Sequence, residues 1–139
     1  MERREVGVFV DTGVFVGAAN KRDDNHAKAR SLLESALKGE HGVIFTSDYV
    51  VDETVTTALT RTHNRSIAIN AGRSIIESPR IEKLYTGPDE LMDGWRRFQA
   101  LKRPMSFTDC VTLSHMERRG VKKLMSFDSE FDGLVSRLH

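Results

Sequence analysis

Four acidic side chains stand where secondary-structure elements are predicted to begin or end, and this placement suggests metal chemistry. Asp11 ends an apolar segment, Asp109 lies three residues after Ser106, Asp128 follows another apolar segment, and Glu53 lies near the start of a helical pattern. Carboxylates that are held together repel one another and need a cation, and hard oxygen ligands favour Mg²⁺ or Mn²⁺. Such a site polarises a phosphoryl group and activates water.

Each of these acids also has a purely structural explanation. Asp109 would complete a capping box with Ser106 at a helix N-terminus, and Asp11 and Asp128 are residue types that are common in turns. The helical pattern leaves Glu53 on the side opposite its clearest apolar stripe, where exposure to solvent is expected. That pattern does not distinguish Glu53 from its neighbour Asp52.

The elements that would position the acids follow from the apolar patterns. Short apolar runs predict strands over residues 6–11, 43–46, 81–85 and 123–127. Helical periodicity and capping residues predict helices over residues 12–19, 25–37, 48–62, 66–77, 88–101 and 106–119. Alternating strands and helices indicate an α/β fold with a mainly parallel sheet, in which the strand ends bring distant acids to one edge. The tail after residue 127 has no clear assignment.

The helix predicted over residues 88–101 carries large apolar side chains at helical spacing. Leu91, Trp95, Phe98 and Leu101 form one stripe, which predicts that they face the core.

Length and composition describe an ordinary globular domain. The chain has 139 residues, 39% hydrophobic and 29% charged, with a formal net charge of +1, so we expect a single domain over residues 1–139. No apolar run is long enough to cross a membrane, and the acid-containing N-terminus does not resemble a signal peptide. Cys110 is the single cysteine, and the histidines show no metal-ligand spacing. These features predict a cytoplasmic protein.

Four segments in order resemble the motifs of PIN-domain nucleases. They are VFVDT at residues 8–12, YVVDET at residues 49–54, SFTDC at residues 106–110 and LMSFDSEF at residues 124–131. The resemblance covers nearly the whole chain and selects Glu53 over Asp52. It implies a three-layer α/β/α fold with a mainly parallel central sheet.

Small proteins of this kind are similar to the VapC-type toxins of toxin–antitoxin pairs. The resemblance implies an endoribonuclease that depends on Mg²⁺ or Mn²⁺, forms a homodimer and is neutralised by a cognate antitoxin. It implies that Asp11, Glu53 and Asp109 hold the metal together with an acid of the last motif, either Asp128 or Asp132. Because Asp128 directly follows the predicted strand, we expect it to be the principal fourth ligand, with Asp132 contributing through water. Water would attack the RNA phosphodiester, and Thr12 or Thr108 would orient a ligand carboxylate.

Two other functions are compatible with parts of the sequence. A PIN-like protein without catalysis would bind RNA or act as a scaffold. The triplet Asp11-Thr12-Gly13 also occurs in retroviral-type aspartic proteases, but those enzymes are rich in β-structure, whereas several segments here have helical periodicity. We further expect dimerisation through the first two helical hairpins, and RNA binding through the basic pairs at residues 118–119 and 122–123.

Overall fold

The computed structural model describes residues 7–139, so the predicted strand residue Val6 lies outside the described residues. The strands in this range are β1 (Gly7–Val10), β2 (Val43–Ser47), β3 (Ile81–Leu84), β4 (Lys123–Met125) and β5 (Ser136–Leu138). The helices are α1 (Thr12–Ala19), α2 (His26–Leu37), α3 (Asp48–Thr62), α4 (Arg65–Ile76), α5 (Pro88–Ala100) and α6 (Phe107–Arg119), with a 3₁₀ turn at Ser129–Phe131.

The five strands form one parallel sheet with the order β3-β2-β1-β4-β5, and the helices flank it. The predicted α/β/α fold with a parallel sheet is therefore confirmed. All strands end at the same edge of the sheet, so the residues that follow β1, β2 and β4 are brought together. This architecture is not that of an aspartic protease, so the alternative based on the Asp11-Thr12-Gly13 triplet is excluded, as the helical periodicity indicated.

The core lies on both faces of the central strand β1, which is buried along its whole length. Phe9, Phe15, Leu124 and Phe131 are among the largest fully buried side chains. Burial of each stabilises the fold by about 1.5–3 kcal/mol relative to exposure. The result is a rigid base beneath the strand ends.

Gly7 allows the two central strands to approach closely. Its φ is 150°, and a Cβ atom there would overlap the carbonyl group of Val43 on β2. Glycine avoids this overlap and adopts positive φ without strain. The close pairing of β1 with β2, which helps to position Asp11 at the end of β1, therefore depends on Gly7.

The expected burial of the α5 stripe is wrong for three of its four residues, whereas the fourth, Leu101, is partly buried and packs against the core. Trp95 is 46% exposed, Phe98 is 44% exposed and Leu91 is 38% exposed. The buried residue of α5 is instead Gly94, where an added Cβ atom would lie 2.8 Å from Val111 Cγ2 on α6. The helix approaches α6 through its smallest side chain, and the larger apolar side chains lie beside this contact, where they stay partly exposed.

The C-terminal part of the chain differs from prediction in two respects. Strand β4 ends at Met125, earlier than the predicted residue 127. The Ser126 N–H still donates to the Leu138 carbonyl on β5, and the Ser126 side chain turns to Asp11 and Asp128. Strand β5 extends the sheet beside β4 and was not predicted. Its three residues are too few to show a periodic pattern.

Candidate active site

Asp11 is fixed at the carboxyl edge of the sheet by contacts on both sides. Its backbone N–H donates to the Met125 carbonyl at 3.0 Å, which ties it to β4. Its Oδ1 accepts from Thr12 N at 2.9 Å, and its Oδ2 accepts from Ser126 Oγ at 2.7 Å. The side chain is both the N-cap of α1 and a buried acid that faces a cavity.

Asp109 is both a helix-capping residue and an acid of the cavity. Its Oδ2 accepts from Ser106 N at 3.2 Å, and Ser106 Oγ accepts from Asp109 N at 3.1 Å, which is the expected capping box. The residue is also only 8% exposed and lines the same cavity as Asp11. The capping box therefore holds a buried carboxylate in place, and its presence does not exclude a functional role for Asp109.

Asp128 reaches the cavity, whereas Asp132 does not. Asp128 N donates to Ser126 Oγ at 3.0 Å, and Asp128 Oδ1 accepts from Glu130 N at 2.9 Å. Asp132 instead forms a two-pronged ion pair with Arg137, with N–O distances of 2.6 and 3.1 Å. This pair holds the pKa of the exposed Asp132 carboxyl below its usual range. The structure does not bring Asp132 to the other acids.

Glu53 and Asp52 point in different directions. Glu53 is half-buried and lines the cavity from the second turn of α3, whereas Asp52 is exposed and lies outside the cavity lining. The apolar stripe of α3 could not make this distinction. The motif resemblance selected Glu53, which is the acid that faces the cavity.

The cavity, called the acidic cavity below, has a volume of about 500 Å³ and collects the four acids from four separate elements. Burial raises the pKa of Asp11 from 3.8 to about 6, reinforced by the Glu53 and Asp128 charges and opposed by hydrogen bonds from Ser126 and Thr12. Burial, with repulsion from Asp11 and Asp128, raises the pKa of Asp109 from 3.8 to about 7 against the opposing hydrogen bonds with Ser106. The acids are therefore close enough that the negative charge of one disfavours ionisation of the next.

The donor chemistry of the acidic cavity fits a divalent cation. Carboxylate and hydroxyl oxygens line it, which are the ligands that hard cations prefer. Thr12 Oγ1 is buried there without a hydrogen-bond partner among the described residues, so a polar group is left for a bound ion's water. Within residues 7–139 the carboxylates surround the cavity, and no three acidic, histidine or cysteine side chains converge as a ready-made metal cluster.

Three residues that the sequence analysis did not single out complete the site. Ser126 joins Asp11 to the backbone of Asp128, and Asp23 and Arg61 line the cavity from the α1–α2 loop and from α3. Arg61 could have been found from spacing, because it follows Glu53 by eight residues and so lies on the same face of the helix. Ser126 carried no comparable signal, since a serine after a strand is an ordinary turn residue.

A model of one protein family matches most of the chain. The family is described as the PIN domain, and the match covers residues 8–135. This chain belongs to the PIN domain family. The resemblance that the four sequence motifs carried is therefore confirmed, and all four motif acids line one cavity of this PIN domain.

Relatives of this PIN domain carry the name VapC. A VapC ribonuclease of Archaeoglobus fulgidus is 25% identical over 91% of this chain and 80% of its own length. The 23S rRNA-specific endonuclease VapC20 of Mycobacterium tuberculosis is 27% identical over 89% of this chain and 91% of its own length. The predicted VapC-type PIN ribonuclease is confirmed as the class to which this chain is similar.

Solved structures agree with the fold. The crystal structure of M. tuberculosis VapC20, titled a sarcin–ricin loop cleaving toxin, superposes with a TM-score of 0.82 and 26% identity, covering 91% of this chain and 94% of that one. VapBC2 of Rickettsia felis, solved with a promoter DNA fragment, gives a TM-score of 0.65 at 15% identity, covering 94% and 96% of the two chains. This second likeness supports the fold alone.

Proposed function

We propose that this PIN domain is a metal-dependent endoribonuclease and the toxin of a toxin–antitoxin pair, with Asp11, Glu53, Asp109 and Asp128 as its metal-binding carboxylates. The observation that carries the proposal is that these acids, from four elements far apart in sequence, line one cavity at the carboxyl edge of the sheet. All four are present, which favours an active nuclease over an inactive PIN-like scaffold.

The metal that we propose is Mg²⁺ or Mn²⁺. When bound, such an ion supplies charge neutralisation at a phosphate and a water of lowered pKa. Two acids whose pKa values are raised give up protons to bind a cation, so occupancy is expected to increase with pH between about 5 and 8.

The surrounding residues hold the carboxylates in place. Ser126 donates to Asp11 Oδ2 and accepts from Asp128 N, so one hydroxyl fixes the relative position of two acids. Ser106 N donates to Asp109 Oδ2 and holds that single carboxylate, and Thr12 Oγ1 remains available for a water in the cavity. Water is the proposed nucleophile; it adds to phosphorus as the bond to the ribose 3′ oxygen breaks. One proton of the water is lost to solvent, and the departing 3′ oxygen takes up a proton from solvent to become a hydroxyl group. No side-chain nucleophile is needed.

We propose structured ribosomal RNA as the substrate class to test first. The VapC20 relative is named a 23S rRNA-specific endonuclease, and its structure matches this chain over nearly its full length. A hairpin of sarcin–ricin loop sequence is thus the most informative first substrate, with transfer RNA as the comparison.

We propose that the partners are an antitoxin and a second copy of the chain. Exposed apolar side chains support a protein partner, since soluble monomers rarely expose a large contiguous apolar patch. The expected dimer contact was the first two helical hairpins, where Ile69 and Ile76 of α4 are exposed, but the largest group of exposed apolar residues on one element lies on α5, at Leu91, Met92, Trp95 and Phe98. We therefore place the homodimer contact on α5.

The proposal also covers the domain organisation and the cellular compartment of the protein. We propose that residues 1–139 act as one PIN domain in the cytoplasm, where the RNA is made. In residues 7–139 the structure contains no helix long and apolar enough to cross a membrane.

The test compares RNA cleavage by three proteins: the wild type, Glu53→Gln and Asp52→Asn. Glu53→Gln removes a charge that lines the acidic cavity, and Asp52→Asn removes one from its exposed neighbour. We expect cleavage of the hairpin with Mn²⁺ by the wild type and Asp52→Asn, and at least about 100-fold slower cleavage by Glu53→Gln. Full activity in excess chelator, or equal activity of all three proteins, would contradict the proposal.

A further inference from the structure

Arg61 lies between the acidic cavity and a second cavity, and we propose that this second cavity binds the RNA backbone on one side of the scissile phosphate. The proposal rests on the proposed function. The second cavity, called the basic cavity below, has a volume of about 690 Å³. Its polar lining comes mainly from the α1–α2 loop and the start of α4, including Asn20, Lys21, Arg22, Asn64 and Asn70.

The two cavities have opposite charge. Among the described residues, the lining of the acidic cavity contains five acids and the single cation Arg61. The lining of the basic cavity contains three cations, Lys21, Arg22 and Arg61, and no acid. An RNA strand offers phosphates along its length, so the basic cavity fits the phosphates next to the one that is cut.

The geometry of α3 links catalysis to this binding. Glu53, Thr57 and Arg61 follow one another at four-residue intervals and all line the acidic cavity. Glu53 and Arg61 are therefore separated by about 12 Å along the helix axis. One face of one helix thus carries a carboxylate at the reaction centre and a guanidinium where the next cavity begins.

Arg61 keeps its hydrogen-bonding capacity. Its guanidinium lies 4.0 Å from Asp23, which is ion-pair distance but too long for a hydrogen bond, and its side chain is 61% exposed. Asp23 Oδ1 is engaged by Asn25 N at 2.8 Å. Arg61 is therefore held near the opening by charge, with N–H donors left for a phosphate.

Both walls of the basic cavity are fixed before any ligand binds. On one wall Asn20 Oδ1 accepts from Arg22 N at 3.1 Å, and Asp23 N donates to the Asn20 carbonyl at 3.0 Å. On the other wall Asn64 Oδ1 accepts from Ser66 N at 3.0 Å and caps α4. Since both Oδ1 atoms accept from the backbone, the remaining hydrogen-bonding group of each side chain is its NH₂, which can donate to phosphate or ribose oxygens.

The experiment measures RNA binding without cleavage. A labelled single-stranded RNA of about 12 nucleotides is titrated with protein in EDTA at several salt concentrations. Each lost phosphate contact lowers the slope of log K against log salt by about 0.7 for single strands. We expect the triple variant Lys21→Gln/Arg22→Gln/Arg61→Gln to lower the magnitude of the slope by about 2, and Arg61→Gln alone by about 0.7.

The matched control is Arg30→Gln, which removes an exposed arginine that pairs with Glu34 on α2 and lines neither cavity. We expect its slope to equal that of the wild type. Arg61→Lys keeps the charge and is expected to keep the slope, which separates charge loss from misfolding.

The outcomes separate this inference from the proposed function. In one outcome, the wild type binds RNA and cleaves it with Mn²⁺, but the triple variant and Arg61→Gln keep the wild-type slope. This result would overturn the inference alone and would leave a protein partner as the candidate ligand of the basic cavity. A wild type that neither binds nor cleaves RNA would overturn the proposed function, and this inference with it.

Discussion

Removing the charge of Asp109 should stabilise the metal-free protein at alkaline pH. Its carboxyl is buried among other acids, which raises its pKa from 3.8 to about 7. A raised pKa in the folded state means that the folded protein binds more protons than the unfolded chain. Stability from this group is complete below about pH 4 and is lost as pH rises through about 7. Asp109→Asn removes the ionised form that causes this loss.

The size of the effect follows from the pKa change. A difference of about three units corresponds to about 4 kcal/mol at 1.36 kcal/mol per unit. Water that enters the open cavity screens part of this, which leaves about 2 kcal/mol. The variant also loses a negative charge from the first turn of α6, at a cost of about 0.5 kcal/mol. The amide oxygen can still accept from Ser106 N. The net gain at pH 8 is therefore about 1.5 kcal/mol.

Thermal unfolding in EDTA at pH 8 and at pH 4 measures this effect. At pH 8 we expect Asp109→Asn to melt about 5 °C above the wild type, and at pH 4 no higher than the wild type. Asp52→Asn removes the same charge from an exposed site and should change neither melting temperature by more than about 1 °C. Mn²⁺ should raise the melting temperature of the wild type more than that of Asp109→Asn.

One pattern of melting temperatures would contradict this prediction. If Asp109→Asn melts below the wild type by the same amount at both pH values, Asp109 acts only through its capping box. Its burial among the other acids would then have no electrostatic cost.

Three other predictions concern separate parts of the molecule. Asp128→Asn should slow RNA cleavage at least about 100-fold, whereas Asp132→Asn should change it less than about threefold, because Asp132 pairs with Arg137 outside the acidic cavity; the opposite order in a cleavage assay would reverse the assignment. Gly94→Ala should destabilise the fold by about 1–3 kcal/mol in chemical denaturation, because the new methyl group meets Val111 on α6; an unchanged midpoint would show that α5 can move away. Trp95→Glu should convert a homodimer into a monomer in sedimentation at micromolar concentration without loss of helix content, because Trp95 lies in the exposed apolar surface of α5; a dimer that persists would place the contact elsewhere.

The sequence predicted the order of the elements because the buried strands and capped helices carry strong local signals. Ser106 and Gly120 bracket α6 as expected, with the serine as N-cap and the glycine in the left-handed conformation at the C-terminus. Strand β5 was missed because it is three residues long and depends on pairing with β4 rather than on its own pattern.

The α5 stripe shows where periodicity is insufficient. Periodicity identifies which side chains share a face, but not which neighbour that face meets. Trp95 and Phe98 pack in a small aromatic cluster with Phe107 of α6, with ring centroids about 6 Å apart, while the core contact is made by Gly94. A glycine in a helix carries no hydrophobic signal, so its role in packing was invisible in the sequence.

The sequence predicted some of the site residues, because their positions follow from the sheet topology. Asp11 and Asp128 follow strands, so topology alone places them at one edge of the sheet. Glu53 required the family motif, because one helical position separates it from the exposed Asp52. Arg61 shares the helix face of Glu53 and could have been found from that spacing, whereas Ser126 depends on tertiary contacts that no local pattern records.

RNA hydrolysis by this PIN domain should require a divalent ion that the four carboxylates hold. The most direct measurement titrates Mn²⁺ into the wild type and follows metal occupancy, by electron paramagnetic resonance, and cleavage of the RNA hairpin in the same samples. We expect occupancy and cleavage to rise together, and we expect Asp11→Asn to lose both while Asp52→Asn loses neither. Cleavage that is complete before any Mn²⁺ is bound, or tight Mn²⁺ binding by Asp11→Asn, would contradict it.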